Sequence, residues 1–379
     1  MKKISDIDIK DKKVIVRCDY NVPIKDGKIL DDTRIVKSLK TINYILEKAS
    51  KVIILSHLGR IKVEEDKKNN SLKPVCDHLS NLLNRKVVFC TYKDDINKVI
   101  DNNDIIMLEN TRFFDLDNNK ESNCDEELSK FFASFGDVFI NDAFGVAHRK
   151  AASNVGITKY IESANGFLIE EEVNNLDKLL DNPKKPYILI MGGKKVSDKI
   201  KVIDNLIEKC DKILIGGAMV YTFLKASNLN IGSSFYEEEY LDYSKKLLGK
   251  YNDKIVLISD NYILSNDKHV CKHIDDMLDS DVGLDIGDNS IERFKEEILK
   301  AKTVFVNGPM GLFEEGFSLG TEEVLKTLNK IDAYVVIGGG DTVNAVNKLL
   351  PNNNFVLSTG GGASLEYLEG KGLPGVVEG

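Results

Sequence analysis

The residues best equipped to do chemistry in this chain are its arginines. Of 52 basic Lys and Arg residues seven are arginine, and six of those, Arg17, Arg34, Arg60, Arg85, Arg112 and Arg149, fall within the first 149 positions. A chain that carries its ordinary positive charge on lysine keeps arginine where a flat guanidinium fork must grip phosphate or carboxylate through paired hydrogen bonds. Arginine also makes structural ion pairs, so context has to decide. Five of the six stand in segments rich in Asp, Asn, His and Gly at the ends of apolar runs: Arg17-Cys18-Asp19-Tyr20-Asn21, Asp31-Asp32-Thr33-Arg34, Ser56-His57-Leu58-Gly59-Arg60, Leu108-Glu109-Asn110-Thr111-Arg112 and Asn141-Asp142 through His148-Arg149. Arg85, between Asn84 and Lys86, reads as surface. The first half therefore presents a local anion-binding site.

The second half handles anions differently. Three glycine clusters follow apolar runs: Met191-Gly192-Gly193-Lys194-Lys195-Val196-Ser197-Asp198-Lys199, Gly216-Gly217-Ala218-Met219 and Gly338-Gly339-Gly340-Asp341-Thr342. Glycine lets the backbone approach a phosphate, and the N–H groups of a following helix hold it. None of the clusters fits the G-x-x-x-x-G-K-[ST] or G-x-G-x-x-G pattern. Lys195 and Lys199 lie four apart and would face the same way on a helix start. Asp341 has two readings, a helix N-cap or a Mg²⁺ ligand beside a phosphate, and the glycines before it favour the second.

Strand-length apolar runs separated by amphipathic helix-length segments are what must position these groups. The runs are 13–19, 51–56, 86–90, 104–108 and 138–141 in the first half, and 187–191, 212–215, 255–259, 303–306, 334–337 and 355–357 in the second. Continuous Val/Ile/Leu runs alternating with helices predict α/β architecture with parallel sheets covered on both faces. Eleven such strands in 379 residues predict two domains, with residues 166–180 as an amphipathic helix bridging them. Nearly every polar or glycine cluster follows a strand, where open parallel sheets bind ligands.

Composition narrows the partners. A net charge of −8 with pI near 5.4 argues against general nucleic-acid or membrane-surface binding. No stretch reaches the roughly 18 apolar residues that span a bilayer, and the N-terminus does not read as a secretory signal, so the cytoplasm is expected. The six cysteines show neither Cys-x-x-Cys nor a His at zinc spacing, which predicts reduced thiols. Cys18 reads as a small strand residue.

Taken together, Cys18-Asp19-Tyr20-Asn21-Val22-Pro23, Asp31-Asp32-Thr33-Arg34, Ser56-His57-Leu58-Gly59-Arg60, Leu108-Glu109-Asn110-Thr111-Arg112-Phe113, Asn141-Asp142-Ala143-Phe144-Gly145, Gly192-Gly193-Lys194-Lys195-Val196, Asn307-Gly308-Pro309 and Ser358-Thr359-Gly360-Gly361-Gly362-Ala363 resemble the phosphoglycerate kinase family, in family order over essentially the whole chain. The resemblance implies two Rossmann-like three-layer domains. Residues 1–165, with a tail from about 363 to 379 returning to them, would bind phosphoglycerate; 166–182 would be a hinge helix; 183–362 would bind nucleotide. It implies reversible transfer of the acyl phosphate of 1,3-bisphosphoglycerate to ADP, giving 3-phosphoglycerate and ATP, in line after hinge closure, with Mg²⁺ accompanying ADP or ATP. A cytoplasmic monomer is the family expectation.

By the same resemblance Arg34 and Lys195 are the catalytic residues, and Asp19, Tyr20, Asn21, Arg34, His57, Leu58, Gly59, Arg60, Arg112 and Arg149 bind substrate. Gly193, Lys195, Lys199, Gly217, Gly283, Asn307, Glu314, Gly339, Gly340, Asp341 and Thr342 bind nucleotide, and Asp341 binds Mg²⁺ directly or through water. Asp142 is expected to be structural, fixing the loop that presents Arg149. Arg17 adds positive potential, and Arg85 and Arg293 are bystanders. Three departures from the family stand out: Lys194 replaces a small residue and is expected to point to solvent, Ala151 replaces a second His, and Ile61 replaces Pro. The competing readings are a catalytically idle nucleotide-binding or scaffolding homologue, and a kinase for a different acyl phosphate. An idle copy should have lost Arg34, Lys195 or Asp341, and all three are present.

Overall fold

The computed structural model describes residues 1–265 and 268–379. The chain divides into two compact units, Met1–Asn174 with Gly372–Gly379, and Asn175–Lys371.

The first unit is built on six parallel strands, side by side in the order Val88–Cys90, Ile105–Leu108, Lys51–Leu55, Lys13–Arg17, Val138–Asn141, Glu162–Asn165. Alternation along the central strand splits its side chains between two cores. Val14 and Val16 join Ile35, Ile42, Ile45, Val75 and Leu79 beneath the helices Thr33–Leu46 and Lys73–Leu83. Ile15 points the other way, to Ile96, Ile100, Leu128 and Phe132 beneath Ile96–Asn102 and Glu126–Ala133. Burial on both faces is why Val14, Ile15 and Val16 are all apolar, and each such side chain contributes about 1.5–3 kcal/mol.

The second unit repeats the plan with strands in the order Ile255–Val256, Lys212–Ile215, Tyr187–Met191, Thr303–Asn307, Tyr334–Gly338, Val356–Leu357. In both sheets the chain starts near the middle and later reverses direction, leaving a switch point beside the first strand. Ligands bind at such points, outside the carboxyl ends of the strands.

Two features differ from the sequence expectation. The strand Glu162–Asn165 was not anticipated, because Glu-Ser-Ala-Asn at a sheet edge has no apolar run. The run expected at 255–259 gives only a two-residue strand, after which Asp260–Ser265 pairs antiparallel with Lys268–His273 and Gly283–Ile286 in a separate small sheet. Half-exposed strands of this kind alternate polar and apolar residues and do not stand out by composition.

The helix expected over 166–180 runs from Phe167 to Leu180, and the division between units falls within it. The tail joining the first unit is shorter than the sequence suggested. The helix Gly362–Leu368 belongs to the second unit, tied there by Tyr367 Oη to Asp177 (2.5 Å) and by Asn205 Nδ2 to the Leu368 carbonyl (2.7 Å). Only Gly372–Gly379 joins the first, where Lys2 N donates to the Val377 carbonyl (2.9 Å) and Asn141 Nδ2 to that of Gly375 (2.6 Å). All six cysteines are free thiols. Among the described residues no helix is long and apolar enough to cross a membrane.

Candidate active site

At the carboxyl end of the first sheet, the strand Lys13–Arg17 delivers Arg17 and Asp19, the strand Lys51–Leu55 delivers His57 and Gly59, and the strand Ile105–Leu108 delivers Asn110 and Arg112. Arg34 comes from the first turn of the helix Thr33–Leu46, and its Nη1 donates to Asp19 Oδ2 (2.9 Å) and to the Asn21 carbonyl (3.2 Å). Asn21 Oδ1 accepts from Gly59 N (2.9 Å), and the Gly59 carbonyl accepts from Arg112 Nη1 (2.8 Å). Gly59 sits at φ +61°, and a Cβ there would lie 1.9 Å from Asn70 Oδ1, so the tight turn requires glycine.

A cavity of about 50 Å³ lies within this cluster, lined by Arg17, His57, Arg112, Glu121, Arg149 and Ala151 among others. Burial holds the His57 imidazole well below the ordinary histidine range, and Arg17, Arg112, Arg149 and Arg34 push it the same way. His57 is therefore a neutral ring among guanidinium groups, able to donate a hydrogen bond to an anion without titrating near neutrality. Burial likewise lowers Arg112, and neighbouring Arg149 adds to the effect. Like charges gathered this closely form a field that an anion would relieve.

Three expected members have side chains that lie away from this cavity. Tyr20 is fully buried, with its hydroxyl paired to Ser38 Oγ (2.8 Å), so its ring is core and only its amide, donating to Ser56 Oγ (2.9 Å), reaches the edge of the site. Leu58 is core as well, its carbonyl accepting from Asn110 Nδ2 (2.7 Å). Arg60 is exposed and does not line the cavity. Asp142 is structural, but it holds a different segment. Its Oδ1 accepts from Leu168 N (2.9 Å) at the start of the helix Phe167–Leu180. The loop presenting Arg149 is held by Asn154 Nδ2, which donates to the carbonyls of Val146 (3.1 Å) and Arg149 (3.0 Å). Arg17 is also more than a source of potential, being 2% exposed and wired into the cluster through Ser153 and His57.

In the second unit a cavity of about 750 Å³ opens at the switch point, lined by Gly193, Gly217, Gly283, Glu314 and Asp341 of the expected residues. Its floor is glycine backbone packed on glycine backbone. Gly217, Gly193 and Gly308 hold φ of +63°, +89° and +99°, and a Cβ on Gly217 would stand 2.4 Å from Gly193 N. Gly283 faces Tyr221, whose hydroxyl would lie 1.7 Å from a Cβ. Asn307, ending the strand Thr303–Asn307, accepts from Lys199 Nζ, while its buried Nδ2 has no partner among the described residues and faces Gly338 and Gly339. Burial lowers Lys199, and Asp198 and Asp341 act against that. Gly340 opens the helix Gly340–Leu349, whose first N–H groups have the orientation that suits an anion. Thr342 is buried, and its hydroxyl accepts from Gly308 N (2.8 Å), pinning the loop after Asn307. Lys195 is exposed and makes no ion pair or side-chain hydrogen bond among the described residues.

Asp341 is the carboxylate expected to meet a metal. Among the described residues no group of three or more His, Cys, Asp or Glu could hold a metal. One exposed carboxylate beside a helix N-terminus suits Mg²⁺ that arrives on nucleotide phosphates and keeps most of its water, and does not suit a resident all-protein site.

The family model for phosphoglycerate kinase matches residues 4–371. The chain belongs to the phosphoglycerate kinase family. It is 51% identical to the phosphoglycerate kinases of Fusobacterium nucleatum and of Enterococcus faecalis, in each case over 99% of this chain and 98% of the relative. Among solved structures it is similar to phosphoglycerate kinase from Coxiella burnetii, with TM-score 0.88 and 39% identity over 99% of this chain and 97% of that one. The phosphoglycerate kinase of Pyrococcus horikoshii matches with TM-score 0.84 at 30% identity, over the same shares of the two chains. The enzyme reading and the two-domain α/β fold agree with these relatives, which give the idle-homologue alternative no support.

Two departures from the family pattern now have a location. Lys194 is exposed, yet it lines the large cavity, with Nζ 5.1 Å from the ring centre of Phe235. Ala151 lines the small cavity, where a second His would have supplied a polar group. Sequence reading also missed residues. Phe235, Ile258, Leu284, Met310 and Lys348 line the large cavity without sharing any motif. Glu121, in a loop of ordinary polar composition, was not distinguishable from a surface acid.

Proposed function

We propose that the chain transfers the acyl phosphate of 1,3-bisphosphoglycerate reversibly to ADP, giving 3-phosphoglycerate and ATP. Two unlike cavities at the carboxyl ends of two parallel sheets are the observation that carries this reading. One is built from arginines around a neutral imidazole, the other from glycine backbone, lysine and a single carboxylate.

In this proposal His57, Arg112 and Arg149 hold the phosphate end of the triose, with Arg60 at the margin, and Asp19 and Asn21 position its glycerate portion. Asn307, Lys199 and the amides after Gly339 hold the nucleotide phosphates, Glu314 takes the ribose, and Asp341 would hold Mg²⁺ with the nucleotide. When bound, the ion supplies charge neutralisation on the phosphate oxygens. Arg34 and Lys195 act on the migrating phosphoryl group, whose equatorial oxygens gain stabilisation from nearby cations. The acceptor or leaving group is a carboxylate, so no general base is needed. Since the two substrates bind on different units, transfer requires them to be brought together, and closure about 166–182 belongs to the proposal, as do a monomeric state and a cytoplasmic location.

The test is a coupled assay with 3-phosphoglycerate and Mg-ATP, repeated with other small carboxylates. Turnover with 3-phosphoglycerate at the highest kcat/KM is expected. No turnover with it, or a higher kcat/KM for another carboxylate, would refute the assignment.

A further inference from the structure

Glu121 lies outside every motif discussed so far, yet it is 2% exposed at the bottom of the arginine cluster. Its carboxylate accepts from Ser153 N (3.1 Å) and from Ser153 Oγ (2.5 Å). Ser153 Oγ in turn accepts from Arg17 Nε (2.9 Å). Arg17 Nη1 donates to the Cys18 carbonyl, and Nη2 sits 3.3 Å from His57 Nδ1. The chain of contacts therefore runs from Glu121 through Ser153 and Arg17 to His57, and every member is buried.

Guanidinium nitrogens only donate. A contact between Arg17 Nη2 and His57 Nδ1 is a hydrogen bond only when Nδ1 accepts, which leaves the ring proton on Nε2. That nitrogen has no protein partner among the described residues, and the ring lines the small cavity. Asp19 Oδ1 is the competing influence, 3.9 Å from the same Nδ1, and a carboxylate there favours the opposite tautomer. Asp19 is already engaged by Arg34, so Glu121 is the acid that acts most strongly on buried Arg17, ahead of Asp19, and removing it leaves a buried guanidinium less compensated. Arg34, Arg112 and Arg149 are the other charges acting on the ring.

We propose that Glu121 is a positioning residue which, through Ser153 and Arg17, holds His57 as its Nε2–H tautomer, so that a hydrogen-bond donor faces the anionic substrate. The inference rests on the reading that His57 contacts the triose. Its test uses full-length enzyme with isotope-labelled histidine, the His57 signals being assigned with His57→Gln. Long-range proton–nitrogen spectra distinguish the two neutral tautomers. Wild type should show Nε2–H alone across the range in which an ordinary histidine titrates. Ser153→Ala, which removes the relay and little volume, and Glu121→Gln, which removes the charge, should both introduce the Nδ1–H form. Both should raise KM for 3-phosphoglycerate roughly tenfold, the scale of one hydrogen bond to a charged partner, with KM for nucleotide unchanged. Pure Nε2–H in Ser153→Ala would overturn the proposal, as would equal rises in both KM values. An unchanged KM for 3-phosphoglycerate in His57→Gln would instead sink the underlying substrate reading, whatever the tautomer spectra show.

Discussion

Asp142→Asn should remove a pH dependence of stability that belongs to the first unit. The Asp142 carboxyl is fully buried at the start of the helix Phe167–Leu180, and desolvation pushes it up to about 7 against the opposing hydrogen bonds from Thr41 and from the Leu168 and Ile169 amides. In the unfolded chain the same group titrates at about 3.9. Between these values the folded protein keeps a proton that the unfolded chain has released. The Asp142 contribution to stability is therefore fully present below about pH 4, falls as pH rises to about 7, and is gone beyond. Three pH units at 1.36 kcal/mol each make the loss about 4 kcal/mol. Asparagine keeps the acceptor for Leu168 N–H and cannot ionise. Its amide nitrogen occupies the place of Oδ2, which has no partner among the described residues, at a cost of about 1–3 kcal/mol. The variant should thus lose the Asp142 share of the slope, keep what Glu121 and Glu170, raised by burial, and His57, lowered by it, contribute in the same unit, and exceed wild type by about 1–3 kcal/mol above the window. Urea titrations at a series of pH values would read this, with hydrogen exchange on the strands of each unit separating their transitions. That separation matters, because Asp285 in the second unit is also raised to about 7 by burial and would give a similar slope there. If the first unit of Asp142→Asn kept the wild-type slope, Asp142 would not be the group that holds the proton.

Three further perturbations address the two anion sites. Arg34→Ala should lower kcat by about 10³ with little change in either KM, as expected for a cation that acts mainly on the migrating group; a rise in KM alone would contradict that role. Gly217→Ala, whose Cβ would stand 2.4 Å from Gly193 N, should abolish saturable nucleotide binding in calorimetry while 3-phosphoglycerate still binds. Asp341→Asn should shift the Mg²⁺ dependence of turnover to higher concentration and leave 3-phosphoglycerate binding unaltered, so an unshifted Mg²⁺ titration would remove Asp341 from the metal's surroundings.

The sequence revealed most where one residue type has one physical use. Runs such as Val14-Ile15-Val16 need burial on two faces, so the parallel sheets were readable, and glycines at Gly193, Gly217 and Gly339 marked backbone that no other residue tolerates. It revealed least where identity comes from three-dimensional company. Glu162–Asn165 became a strand only because Val138–Asn141 lay beside it. Tyr20 sits in a motif with Asp19 and Asn21 yet turns its ring into the core, where its hydroxyl pairs with Ser38. Glu121 reads as one acid among many until folding removes it from water beside Arg17. The Asp142 position reads as structural, but which backbone it holds depends on a helix that begins 25 residues later.

The segment Gly372–Gly379 carries one more consequence, which concerns the order of assembly. Its Gly375 carbonyl accepts from Asn141 Nδ2, its Gly375 amide donates to the Ala147 carbonyl (2.8 Å), and Asn165 Nδ2 donates to the Val377 carbonyl (2.8 Å). These contacts brace the loop that leads to His148 and Arg149, yet the segment follows the entire second unit in the chain. A ribosome making this protein releases every residue of the second unit before the first can close. The usual rule that the N-terminal domain folds first is thus inverted for the arginine cluster, which is braced only by residues that emerge after the whole second unit.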